Sequence, residues 1–293
     1  MIAASLAALL LAASPAAPGG VRQGTVRADD GLSVAYDVRG QGKTAIVLVH
    51  CWACDRTFWR EQVDALARKY RVVTLDLGGH GASGADRSAW TVAGLGGDVQ
   101  AVVLALRLDR VVLVGHSMGG PVALDAARRM PGRVAGIVVV DSLHDVETPV
   151  PRATVDKLAA LYEEDFPGTM SSMVHRMFPA SADPAVVDFV ASRASASRPG
   201  PAIALLRDYP DLDLARWMDA ARVPVRAIQS GPPLSPVTKL GVNRRHGNYD
   251  ATFMDGVGHY PMLERPVEFN RRLEAAVAEV LAASASTPRT TPR

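Results

Sequence analysis

No sign of charge dominates this 293-residue chain: 32 Lys and Arg stand against 30 Asp and Glu, a formal net charge of +2. No long basic run interrupts that balance, so the electrostatic footprint of a nucleic-acid binder is missing. Cysteine is nearly absent. Only Cys51 and Cys54 occur, at C-x-x-C spacing, and a zinc site needs two further ligands that no nearby histidine pair supplies. The pair reads as loop-shaping residues, with a local disulfide open to it in an oxidising compartment. There is no internal repeat. The apolar run at residues 2–13 is too short to span a bilayer comfortably as a helix, and no basic side chain precedes it. Ser14-Pro15-Ala16-Ala17 after it offers an A-x-A-like cleavage site. Residues 1–20 therefore read as a signal peptide, giving an exported (periplasmic or secreted) protein with no stable membrane insertion once the leader is removed.

What is present is an alternation. Residues 24–29 and 32–38 read as two short strands joined by the Asp30-Gly31 turn. Apolar runs at 45–49, 71–75, 111–114 and 134–140 have strand length and no polar face, as buried parallel strands do. Between them, Trp59, Val63, Leu66 and Tyr70, and then Leu95, Val99, Val102, Val103 and Leu106, recur at helical spacing. A helix from Ser117 to Met130 stops at Pro131-Gly132. Strands alternating with helices predict an α/β fold, a mostly parallel doubly wound sheet covered on both faces. The alternation lapses over residues 142–220, where short helical patterns carry Leu161, Tyr162, Phe166, Met170, Met173, Met177 and Phe178. It resumes at 223–229 and 251–254, and a last helix aligns Phe269, Leu273, Val277 and Leu281. The expected organisation is a core in two parts, residues 24–141 and 221–283. A helical cap, 142–220, is inserted between them, and a Ser/Thr/Pro/Arg-rich tail, 284–293, reads as disordered.

Gly115-His116-Ser117-Met118-Gly119 lies at a strand-to-helix junction. A serine presented on a sharp turn there needs small flanking residues, and its oxygen ends above a helix amino terminus. A serine hydroxyl is a poor nucleophile without a base. His259, in Gly256-Val-Gly-His-Tyr-Pro261, follows the last strand and precedes the last helix, where a loop returns imidazole to the carboxyl edge of the sheet. His116 belongs to the serine turn and reads as pointing away from Oγ. His80 reads as loop-shaping, and His144, His175 and His246 as cap or surface residues.

Four segments, Val49-His-Cys-Trp-Ala-Cys-Asp55, Asp76-Leu-Gly-Gly-His-Gly-Ala-Ser83, Gly115-His-Ser-Met-Gly-Gly120 and Gly258-His259, together resemble the α/β-hydrolase superfamily. The resemblance is to its group of esterases, lactonases, cofactor-free haloperoxidases and haloalkane dehalogenases, and it covers the sheet domain rather than the cap. It implies an oxyanion hole built from the backbone N–H groups of Trp52 and Met118. The superfamily usually carries His-Gly where this chain has His50-Cys51. It also usually places its acid after the strand that follows the cap, yet no Asp or Glu occurs between Asp219 and Asp250. Asp141, ending the strand 134–140, is the candidate, since some members take the acid from that position; an ordinary strand-end Asp is the competing reading. Asp145 and Glu147 are weaker substitutes.

These readings describe acyl transfer to water, with Ser117 as nucleophile, His259 as base and Asp141 as its orienting acid. No metal or organic cofactor is called for. A serine nucleophile argues against dehalogenation, in which a carboxylate attacks carbon. The expected partner is a small-molecule ester, thioester or lactone with a small to medium apolar acyl group. A perhydrolase or lyase with the same triad, or a non-catalytic ligand-binding protein, are the alternatives. The leader is open to a direct check: protein recovered from its native host should begin near Val21 and lie outside the cytoplasm. Mass spectrometry of the amino terminus decides this, and an intact Met1 on cytoplasmic protein removes the case for export.

Overall fold

In the computed structural model, which describes residues 20–285, the apolar runs become the centre of one eight-stranded sheet. The strands are β1 (Arg22–Arg27), β2 (Ser33–Arg39), β3 (Ala45–Val49), β4 (Arg71–Leu75), β5 (Val111–His116), β6 (Val134–Val140), β7 (Val225–Ser230) and β8 (Tyr249–Met254), in the order β1-β2-β4-β3-β5-β6-β7-β8. β1 and β2 form the antiparallel hairpin and β2 joins β4 antiparallel; all other pairings are parallel. The chain has the α/β-hydrolase fold. The expected leader up to residue 19, and the expected tail from residue 286 onward, lie outside the described residues.

Because side chains alternate across a strand, a continuous apolar run supplies two cores. Val111 and Leu113 of β5 face α2 (Val92–Ala105) and α3 (Gly119–Arg129). Val112 and Val114 face α1 (Arg60–Ala67) and α11 (Pro266–Ala285). α11 buries Phe269, Leu273, Val277 and Val280, and it continues through Ser284 and Ala285, two residues into the expected tail. Leu281 is only partly buried. Among the described residues no helix is long and apolar enough to cross a membrane.

Between β6 and β7 every regular element is helical: α4 (Arg152–Glu164), α5 (Phe166–Arg176), α6 (Pro184–Ser195), α7 (Pro199–Asp208) and α8 (Leu214–Ala221), with one 3-10 turn after α7. Their starts are legible locally. The carboxylates of Asp165, Asp183 and Asp213 accept the first free N–H groups of α5, α6 and α8, and Pro167 and Pro184 stand in the first turn, where no N–H is needed. Tyr162, Phe166 and Met170 join the core on the α1 and α11 face, while Met218 of α8 packs on the α2 and α3 face. Leu161, expected among the apolar lining, is exposed. After β7 come two short helices, α9 (Leu240–Asn243) and α10 (Pro261–Glu264), the second closing the loop that carries His259.

One buried clamp fixes where the chain leaves β6. The Gln229 side chain, fully buried at the end of β7, accepts from Ser142 N–H at 3.0 Å and donates to Ser142 C=O at 2.7 Å. Gln229→Leu keeps the bulk and leaves both backbone groups unpaired. It should lower stability by about 1–3 kcal/mol for each group so stranded, read as a shift in the urea midpoint.

Candidate active site

Ser117 caps β5 with φ +52, in the left-handed region that a side chain rarely adopts. The turn closes because its glycines allow contact that a Cβ forbids. A Cβ on Gly119 would lie 2.5 Å from the Val49 carbonyl oxygen, and one on Gly115 would overlap the Gly119 carbonyl. Helix α3 starts at Gly119, two residues beyond the expected start, which leaves Ser117 in the turn itself. The half-buried serine is held through its backbone. Its N–H donates to Val140 C=O at 3.0 Å, and its C=O accepts from Gly120 N–H at 2.9 Å and Ser142 Oγ at 2.7 Å.

His259 lies in a loop, and the ends of neighbouring helices and strands hold that loop in place. Its N–H donates to Met177 C=O at 3.0 Å, and its C=O accepts from His116 Nε2 at 2.7 Å. On either side, Gly258 N–H and Tyr260 N–H donate to the Glu264 carboxylate at 2.9 and 3.2 Å, and Ser230 Oγ donates to Gly258 C=O. A Cβ at Gly258 would run into the Met177 carbonyl. The His116 ring is engaged with the His259 carbonyl; burial and the neighbouring His259 push its pKa down to about 3, so it serves as a neutral N–H donor. His80, also buried and lowered to about 3, contacts Gly78 C=O and shapes its loop.

The His259 ring meets Asp141. Nδ1 donates to Asp141 Oδ2 at 2.6 Å, so the remaining lone pair belongs to Nε2. Asp141, at the end of β6 with φ +42, has a side chain only 1% exposed. Ser235 Oγ donates to Oδ2 at 2.6 Å and Ser230 N–H to Oδ1 at 3.0 Å; His144 Nε2 lies 3.5 Å from Oδ1. Burial raises the pKa of this carboxyl, but the hydrogen bond and charge of His259 and the Ser235 hydroxyl outweigh it, and the net direction is down. Asp145 and Glu147 are engaged elsewhere, Asp145 with Lys239 and Thr148, Glu147 with Arg245 and His246. Sequence reasoning missed Ser230, Ser235 and His144. The signal was the segment Ser230-Gly-Pro-Pro-Leu-Ser235, which lacks an acid but brings donors to a carboxylate arriving from β6.

The structure brings Trp52 and Met118 to the same edge, one just beyond β3 and one at the start of α3. Neither backbone N–H donates to a protein acceptor among the described residues. Cys51 and Cys54 are joined as a disulfide, the option that spacing alone left open, and both are buried. The Trp52 indole N–H donates to Ala202 C=O at 2.7 Å, and its ring packs edge-on against Tyr162.

Because the folded-state pKa of Asp141 lies below its ordinary 3.8, its ionised form contributes stability that is complete above that value. That contribution is lost as pH falls through the lower folded value. Asp141→Asn should therefore be less stable than wild type at neutral pH, and the gap should narrow as the solution is acidified below 3.8. Denaturant midpoints measured against pH check this, and a gap independent of pH would assign the loss to packing.

A family model described as the alpha/beta hydrolase fold matches residues 44–182. The dihydrolipoyllysine-residue acetyltransferase component of the acetoin cleaving system of Cupriavidus necator is 36% identical over 111 residues, 38% of this chain and 30% of that protein. The pimeloyl-acyl-carrier-protein methyl ester esterase of Edwardsiella ictaluri is 37% identical over 103 residues, 35% of this chain and 38% of that protein. The chain thus spans about a third of the length of these curated relatives. The solved structure of a thermophilic esterase from Thermogutta terrifontis superimposes with a TM-score of 0.77 over 88% of this chain and 99% of that one, at 22% identity, a likeness of fold. With the strand order, the serine turn and these matches together, the chain has the alpha/beta hydrolase fold, and it is similar over part of its length to hydrolases that share that fold.

Proposed function

We propose that this protein is a serine hydrolase that cleaves an ester, thioester or lactone of a small to medium apolar acyl group through an acyl-enzyme. The observation that carries this reading is the 2.6 Å hydrogen bond from His259 Nδ1 to Asp141 at the edge where the turn presents Ser117. It gives His259 a carboxylate partner although the usual loop lacks one, and this supports the catalytic reading over a non-catalytic one. Likeness to an esterase by sequence and to another by fold points the same way.

In this mechanism His259 Nε2 takes the proton from Ser117 Oγ as that oxygen attacks the acyl carbon, forming a C–O bond and moving the carbonyl π pair onto oxygen. The backbone N–H groups of Trp52 and Met118 receive that charge, and their unpaired state means that no internal bond is broken to do so. Asp141 keeps the proton-bearing Nδ1 toward itself and stabilises the imidazolium without accepting its proton. Collapse expels the alkoxide, thiolate or ring oxygen, which takes the proton from Nε2. Water, activated by the same nitrogen, then releases the acid and restores Ser117. Trp52, packed against the buried rings of Tyr162 and Phe166, and the partly buried Met173 and Met177 give the site an apolar border suited to an apolar acyl group.

A fluorophosphonate should label wild type at Ser117 and leave Ser117→Ala unlabelled, and Ser117→Ala should lose turnover across an ester, thioester and lactone panel. Retained hydrolysis near the wild-type rate in pure Ser117→Ala would overturn the proposal. Asp141→Asn, still folded, should lose turnover by orders of magnitude, since the same change in a serine protease costs about 10⁴-fold. Asp145→Asn and Glu147→Gln, whose carboxylates serve other partners, should change it little.

A further inference from the structure

We propose that the Cys51–Cys54 disulfide is a positioning device that aims the Trp52 backbone N–H at the developing oxyanion. The inference rests on the serine-hydrolase reading above, which gives that N–H its role. Cys51 C=O and Trp52 N–H belong to one trans peptide, so they point to opposite sides, and whatever fixes the carbonyl also aims the N–H.

Two donors fix that carbonyl. Leu77 N–H donates to His50 Nε2 at 2.9 Å, so the His50 proton is on Nδ1, which donates to Cys51 C=O at 2.8 Å. His50 is fully buried, and that burial lowers its pKa and keeps it in this neutral form. Cys54 N–H is the second donor, at 3.3 Å. The disulfide holds this second donor in place by tying the two residues together at a Cα separation of 5.3 Å. It also encloses Ala53, whose φ of +56 is unfavourable for any residue with a Cβ and persists only when its surroundings impose it. The indole is anchored independently on Ala202. Of the freedoms at Trp52, rotation of its amino-side peptide is the one that the crosslink removes.

A general staple is the rival explanation, and loop size weighs against it. The entropy that a disulfide removes from the unfolded chain grows with the logarithm of the enclosed loop, and this loop has only two residues between the cysteines. Its main effect is therefore local. The cysteine that stands where the superfamily usually has glycine becomes intelligible in the same terms: it adds a crosslink to a peptide otherwise held by the His50 ring.

The test uses the full chain in three forms: oxidised wild type, wild type reduced by a phosphine, and the double variant Cys51→Ala/Cys54→Ala. Reduction adds two electrons and two protons to the S–S bond and leaves two thiols, confirmed by thiol titration. Each form is assayed for kcat and KM on a short-chain p-nitrophenyl ester and for inhibition by a trifluoromethyl ketone, which forms a tetrahedral adduct. Loss of the disulfide should lower kcat about tenfold or more, short of the ~10²–10³ for an oxyanion donor removed outright. KM should change less than twofold, the ketone should weaken by the same factor as kcat, and the melting temperature should hardly move. Oxidised glutathione should restore wild type and leave the double variant unchanged. Wild-type kcat and ketone affinity in the reduced enzyme and the variant would overturn the proposal. So would a loss of turnover that tracks a loss of folded protein by circular dichroism, since the crosslink would then be structural. Ser117→Ala run in parallel separates the two claims: if it retains turnover, the hydrolase reading fails, whatever the cysteines do.

Discussion

Asp141 is a carboxylate placed at the end of a strand whose every residue is buried. Ionised there without partners, it would cost far more than a domain's stability can bear, and removing one partner from such a buried pair typically costs about 3–5 kcal/mol. The surrounding architecture answers that constraint. The loop after β7 turns Ser230 N–H and Ser235 Oγ onto the carboxylate, and the loop after β8 brings His259 Nδ1. Gln229 holds Ser142, the next residue, by both of its backbone groups. Three adjacent parallel strands therefore end on one charge, and the loops that follow them are ordered by it.

The second constraint is closeness. At Gly115, Gly119, Gly120 and Gly258 a single methyl group would collide with backbone or with Ser142 Oγ. These contacts pack the serine turn against the ends of β3 and β6 and the histidine loop against Met177, at the end of α5. Ser117 and Asp141 take left-handed backbone conformations without being glycine, a cost of roughly 1–3 kcal/mol each that only a surrounding structure of this density sustains. Rigidity at the site is thus bought with strain, and the packing around the sheet edge is what holds it.

The helices between β6 and β7 take part in this through few but specific contacts. Met177 C=O receives His259 N–H, and Ala202 C=O receives the Trp52 indole. Tyr162 and Phe166 pack against Trp52, so the segment is anchored to the two loops flanking the serine turn. Met173 and Met177 are only partly buried against that cluster, which leaves an adaptable apolar border.

Sequence by itself determined the sheet and its two outer layers, since continuous apolar runs such as 111–114 have no face to leave in water and must be covered on both sides. It determined the serine turn as well, because the glycines around Ser117 have a local steric reason, and it placed His259 in the loop after the last strand for a topological one. It left Asp141 between two readings, since a strand-end aspartate looks the same whether it meets a histidine or a loop N–H. Only the tertiary structure decided that question of contact. The decisive partners, His259, Ser230 and Ser235, lie 118, 89 and 94 positions away in the chain, and their convergence depends on the register of β6 against β7 and β7 against β8. The disulfide was undecided for the opposite reason. Three residues of separation permit a bond or two free thiols equally, and only the folded turn, with Ala53 at φ +56, shows the two sulfurs joined.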